Sequence, residues 1–267
     1  MKKFLAILMV LVMVATMAAC GAAEEVDSSV AEEVESVTEE VESAEAEEEV
    51  DPAAKSEGVM TYAEYEAAEL DSEVVVEVYV QATQGWWFDS DAGHGKITVY
   101  AQDPDGGYFI YEMKCDEADA DKVLPGSKIK VTGYKGEWAG EVEIMDATFE
   151  AVEGNWVAEE MDATDLLGTD ELIKHQNKLV TFTGLTLEAI EYKNGEPGDD
   201  IYVTFSKDGE SYNFCVESYL TPSDSLVYEA VGELEVGAVV DVTGFLYWYE
   251  GVNPHITSVV PAEVVAE

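Results

Sequence analysis

The residues of this chain best suited to chemistry are aromatic side chains set in polar surroundings. Trp86, Trp87 and Phe88 stand together in a loop-like stretch, Gln84 to Gly95, and Trp138 sits beside Ala139-Gly140. Tyr247, Trp248 and Tyr249 form a comparable run farther on. An indole prefers burial, so tryptophan in a polar loop has two explanations. One is a stacking platform for a sugar, a base or a peptide aromatic. The other is a loop folded over a barrel mouth, or packing between modules. Other chemistry is thin. Asp89-Ser90-Asp91-Ala92-Gly93-His94 offers oxygens two apart, as a calcium loop does. The place of the bidentate glutamate is taken by Tyr100, however, and a solvated turn accounts for the same residues. His94, His175 and His255 are the only histidines, and their scatter argues against a histidine metal site or triad. No GxSxG, HExxH or phosphate-cradling glycine run occurs. The sequence therefore predicts no catalytic residue, no metal ligand and no cofactor.

Charge narrows the choice of partner. The chain carries 58 acidic and 13 basic residues, a formal net charge of −45, and every basic residue is lysine. The acidity is not confined to one end, because residues 58–267 still hold 43 acids against 10 lysines. Arginine is the usual fork for phosphate and the commonest reader of guanine. A strongly negative chain without it is expected to repel nucleic acid, which makes nucleic acid an unlikely partner. Cys115 and Cys215 lie in apolar strand-like runs and are expected to be buried free thiols rather than a disulfide.

The first nineteen residues read as an export leader: Lys2 and Lys3, an apolar run from Phe4 to Met17, then Ala18-Ala19-Cys20. This end resembles the lipobox of bacterial lipoproteins, with Met17 where leucine is usual. The resemblance implies that Cys20 becomes the lipid-bearing first residue and that the protein is anchored to the membrane outside the cytoplasm. Multiple acyl chains hold firmly to a bilayer. Residues 20–57 follow as an acidic tether. From Ala23 to Glu57 there are 15 acids, one lysine (Lys55) and no aromatic residue, so too little apolar surface is available to offset ordering.

Two blocks then repeat one order of elements, over 58–153 and 154–267. Leu124-Pro125-Gly126 through Val131-Thr132-Gly133-Tyr134 aligns with Glu235-Val236-Gly237 through Val242-Thr243-Gly244-Phe245 at an offset of 111. At that same offset Trp138 matches Tyr249 and Gly140 matches Gly251. Gln81-Ala82 matches Glu188-Ala189, and Asp105-Gly106 and Asp208-Gly209 each punctuate two strand-like runs, as hairpin turns do. Thr61 and Glu64 are spaced as a capping box before a short helix. Each block reads β-β-β-α-β-β. Five strands with a helix between the third and fourth resemble the OB-fold, a partly open barrel. The whole resembles the tandem OB-fold lipoproteins of certain anaerobic bacteria, whose motifs are structural rather than catalytic.

The expected architecture is thus mainly β, two five-stranded OB-like barrels behind a disordered acidic tether. The expected function is a non-catalytic, membrane-anchored module whose aromatic loops bind a glycan, a peptide or a partner protein. Oligonucleotide binding by analogy with the fold, and a cation-dependent carboxylate hydrolase, are the alternatives. The sequence leaves the oligomeric state open.

Overall fold

The computed structural model describes residues 51–262. The leader, Cys20 and most of the acidic tether lie outside the described residues. Ordered contacts begin earlier than Gly58. Within the stretch assigned to the tether, Lys55 Nζ reaches the buried Asp103 Oδ2 at 2.6 Å and the Glu77 carbonyl at 2.6 Å, while the Ala54 carbonyl accepts from Lys128 Nζ at 3.0 Å.

The first barrel starts with helix α1 (Tyr62–Ala67), whose cap is the expected reciprocal pair. Thr61 Oγ1 accepts from the Glu64 amide, and the Glu64 carboxylate accepts from the Thr61 amide. Five strands follow: β1 (Glu73–Asp89), β2 (His94–Gln102), β3 (Gly107–Lys114), β4 (Ser127–Trp138) and β5 (Glu141–Asn155). They close in the order β1-β2-β3-β5-β4. The alternation of β1 does what its sequence implies. Val74, Val76, Val78 and Val80 all point inward and are fully buried, facing Ile97, Val99, Ile110, Ile129 and Val131. Burying one such side chain is worth roughly 1.5–3 kcal/mol.

A second series is β6 (Met161–Asp162), β7 (Leu179–Tyr192), β8 (Ile201–Lys207), β9 (Glu210–Val216), β10 (Val239–Phe245) and β11 (His255–Pro261), with helix α2 (Leu226–Gly232) between β9 and β10. Strands β7-β8-β9-β11-β10 run in the first barrel's order, and β10 pairs back onto β7 to close the ring. The short β6 lies parallel to β7.

The internal repeat is visible in detail. Both first strands carry a bulge at the matched place, Val80/Ala82 in β1 and Leu187/Ala189 in β7. A bulge bends a strand, which lets β1 pair with β4 through its first half and with β2 through its second. Gly126 and Gly237 adopt the same left-handed backbone, φ +91° and +92°, a conformation that only glycine takes without cost. Their amides make equivalent bonds to Val80 O and Leu187 O, each 2.8 Å. Asp208 and Gly209 both have positive φ, as a two-residue hairpin turn requires.

Two elements differ from the sequence reading. The helix expected between the third and fourth strands of the first block is a 3₁₀ turn, Glu117–Lys122, rather than an α-helix, and its N-cap makes no side-chain bond. The stretch Gln84–Gly95 is mostly strand. A second bulge, between Gln84 and Trp87, breaks the alternation but not the pairing, and β1 runs on to Asp89.

Candidate functional site

The seven aromatic residues singled out by sequence divide into four groups. Trp86 is half-buried against the first core, and its Nε1–H donates to the Cys115 carbonyl at 2.9 Å. Trp87 and Phe88, next along β1, remain 43% and 58% exposed. Tyr247 and Trp248 are packing residues: Tyr247 lies flat on His255 with centroids 4.1 Å apart, and Trp248 packs on the second core. Trp138 and Tyr249 meet each other, centroids 5.2 Å apart, yet stay 56% and 47% exposed.

That last contact joins the two barrels, and it joins equivalent residues of the repeat. The tip of the β4–β5 hairpin, Trp138 to Glu141, meets the Tyr249–Gly251 tip. Ala139 and Glu250 share the same left-handed backbone, φ +53° and +54°. The Glu250 amide donates to the Ala139 carbonyl at 2.7 Å. Matched positions of the repeat thus touch each other at the two tips.

Behind the tips, the barrels share a small core of their own. Tyr100 and Phe109 point outward from β2 and β3, the face on which OB barrels usually bind, and are covered by Phe245 and Tyr247. Tyr100 stacks on Phe245 at 4.7 Å. Its hydroxyl accepts from Gln84 Nε2 at 3.2 Å and pairs with His255 Nδ1 at 2.7 Å. Burial holds His255 neutral, down at about 3. Gln84 also donates to Glu217 Oε2, Gln102 Oε1 accepts the Leu179 amide, and Asn177 Nδ2 donates to the Val142 carbonyl. Gly107 lies directly against the Asn177 backbone. Part of the usual binding face of the first barrel is therefore consumed by docking. Its exposed remainder is the Trp87–Phe88 end of β1, Tyr111 of β3, and the Trp138–Tyr249 pair.

Among the described residues the lysines are not pooled into a positive groove. Lys128 is buried against Glu77 beneath the Tyr79 ring. Lys135 spends its ammonium on the carbonyls of Tyr65, Glu66 and Ala68 at the end of α1. Lys193 pairs with Asp199 and Asp200. Lys96 is different, since its Nζ lies 5.4 Å from the centroid of the exposed Trp87 ring. It is held there by Asp89 at 2.7 Å and Glu112 at 2.8 Å. Asp89 and then Glu112 hold the Lys96 ammonium well above the ordinary lysine range, and Lys96 holds Asp89 down at about 2. Asp89 also caps the β1–β2 turn by accepting the Asp91 and Ala92 amides. Cys115 and Cys215 are free and buried.

Sequence reasoning missed Tyr100, Phe109, Glu141 and His255. One signal was present: Tyr100 and Phe109 fall on the outward register of strands whose inward residues are already apolar.

No family model matches the chain, and no curated protein matches it. Solved structures similar to it include one described as a murine DNA binding protein bound with ds DNA, at 12% identity and a TM-score of 0.35, covering 72% of this chain and 98% of that one. Another is the Ifi202 HINa domain in complex with 20bp dsDNA, at 10% identity and a TM-score of 0.33, covering 72% of this chain and 100% of that one. A third is a Replication Protein A heterotrimer bound to ssDNA, at 11% identity and a TM-score of 0.29, covering 75% of this chain and 52% of that one. The expectation that all these aromatic loops bind a glycan, peptide or protein ligand, with nucleic acid as an unlikely partner, is corrected here. Trp86, Tyr247 and Trp248, expected to meet such a ligand, are used in packing instead. A likeness of this size carries no function across, so the side chains of this chain must support the reading themselves.

Proposed function

We propose that this protein binds short single-stranded nucleic acid by stacking bases on exposed aromatic side chains. The observation that carries the proposal is the Trp87–Phe88 end of β1. Two adjacent large rings stand in solvent, and the Lys96 ammonium is fixed against one of them. Stacking on an aromatic ring is worth roughly 1–3 kcal/mol per base and tolerates any base. Lys96 supplies one donor for a phosphate next to the stacked base, in competition with Asp89 and Glu112.

The net charge then shapes the binding rather than forbidding it. Polyanion binding driven by counterion release weakens steeply with salt. Here attraction comes mainly from stacking, while the charge of the barrels repels the strand. Screening relieves that repulsion, because the Debye length falls from about 30 Å at about 0.01 M salt to about 8 Å at physiological strength. Affinity for a short strand should hold steady or rise as salt is raised from low to physiological. Trp87→Ala should weaken it roughly 5- to 150-fold, the loss of one stacked base. Intrinsic fluorescence titration with a short oligonucleotide at several salt concentrations measures both effects. A steep fall with salt, or full affinity in Trp87→Ala, would contradict the proposal.

The leader adds a location. With Cys20 lipidated, this surface would stand outside the membrane on an acidic tether. Mass spectrometry of the mature N-terminus should find acylated Cys20, and an unmodified Met1 end would contradict it.

A further inference from the structure

We infer that the Glu141 side chain is a clasp that holds the two hairpin tips together and so builds a second stacking station, Trp138 with Tyr249, shared by both barrels. Its use in stacking rests on the proposed function above, whereas the clasp itself does not.

Glu141 opens β5 and pairs with Trp138 directly across the hairpin tip. Its side chain is fully buried. One oxygen, Oε2, accepts two bonds from the second barrel's side, the Trp248 amide at 2.8 Å and Gln176 Nε2 at 3.1 Å. Gln176 Nε2 also donates to the Gly140 carbonyl at 2.9 Å, so both residues at the base of the tip are gripped from across the seam. The other oxygen, Oε1, has no hydrogen-bond partner among the described residues. A residue serving only its own barrel has no reason to spend its bonds on the neighbouring one.

All hydrogen-bond partners of this carboxyl are uncharged. The titratable groups facing it are Glu143 from the same strand, Tyr65 from α1 and Tyr247 from the opposite tip. None brings positive charge. Burial therefore pushes Glu141 up to about 8 and, less strongly, Glu143 up to about 6. At neutral pH Glu141 is a neutral acid. Its folded value lies above its unfolded value, so its contribution to stability is complete below about pH 4.5 and is lost as pH rises through about 8. Above that, an unpaired carboxylate would sit between the tips, and releasing them lets water reach it. Trp138 and Tyr249 would then part.

The test follows the ligand-free protein from about pH 6 to about pH 9, below ordinary tyrosine ionisation. The near-ultraviolet circular dichroism of the Trp138–Tyr249 pair is identified by its disappearance in Trp138→Phe. Wild type should lose the signal with a midpoint near 8, and Glu141→Gln, which cannot ionise, should keep it throughout. A flat wild-type profile, or an unchanged midpoint in Glu141→Gln, overturns the clasp. If Glu141→Gln does not fold, carboxyl-detected NMR of wild type decides. A glutamate titrating near 8 together with loss of the aromatic signal supports the clasp, and the absence of such a glutamate overturns it. A second arm measures affinity for a short oligonucleotide. Wild type should weaken about 5-fold or more over the same range, to the level of Trp138→Ala, while Glu141→Gln should not. A pH-dependent aromatic signal without any oligonucleotide binding leaves the clasp standing and refutes the stacking function. Binding that ignores pH in wild type while the aromatic signal responds refutes the second stacking station and leaves the clasp standing.

Discussion

Tyr100→Ala should destabilise the protein by about 3–5 kcal/mol, the range for removing a large buried aromatic. The loss falls on the seam rather than on either barrel's own core. Tyr100 touches Phe109, Phe245 and His255, so its removal hollows out the shared cluster. It also strips Gln84 and His255 of a common hydrogen-bond partner. Tyr100→Phe separates the two contributions, since the ring remains and only the hydroxyl is lost. It should cost about 1–3 kcal/mol, the penalty of an unpaired buried polar atom. Urea unfolding followed by tryptophan fluorescence measures both. Beyond its size, the Tyr100→Ala effect should split the curve, with the barrels unfolding in two steps instead of one. A single transition shifted by less than that of Tyr100→Phe would contradict this role for the shared core.

Gly107→Ala should be the next most damaging change, about 1–3 kcal/mol or somewhat more, as for overpacking at a tight contact. An added Cβ would sit 2.2 Å from the Asn177 carbonyl carbon and 2.5 Å from the Lys178 amide nitrogen. Those are backbone atoms of the stretch leading into β7, so no side chain can swing aside. The strain is relieved only by backing the two barrels away from each other, which also pulls Asn177 from Val142 and Gln176 from Glu141. Small-angle scattering should show an expanded particle at unchanged secondary structure. An unchanged radius with wild-type stability would show that the contact at Gly107 is not a constraint.

Much of the fold could be read in the residues. The valines of β1, the capping box at Thr61 and the matched Gly126 and Gly237 each report a local rule: alternation, a reciprocal cap, a left-handed turn. Rules of that kind depend on neighbours in sequence, and they appeared where expected. The limits of β1 did not follow from them. Gln84-Gly85 reads as a loop, but a bulge there keeps the pairing with β2 while shifting the register, and alternation cannot see through a bulge. The candidate site was legible only in part. The aromatic character of Trp87, Phe88, Trp138 and Tyr249 was visible, and so was the correspondence of Trp138 with Tyr249. Their meeting across a seam was not, because docking is set by tertiary contacts between residues far apart in sequence. The same holds for Glu141, Tyr100 and His255. Each sits on the outward register of its own strand and is buried only because the other barrel arrives. Whole-chain charge is equally blind to local pairing, because Lys96 is placed beside the Trp87 ring by Asp89 and Glu112.

Stacking of bases at particular indoles is directly observable through the five tryptophans. Each indole N–H gives its own proton–nitrogen NMR signal. On adding a short single strand, the Trp87 and Trp138 signals should move. Those of Trp86, bonded to Cys115, of Trp156, packed on Tyr79, and of Trp248, packed on the second core, should stay in place. If no indole moves at saturating strand, or if the three packed ones move and the exposed two do not, the stacking surface is not where this structure puts it.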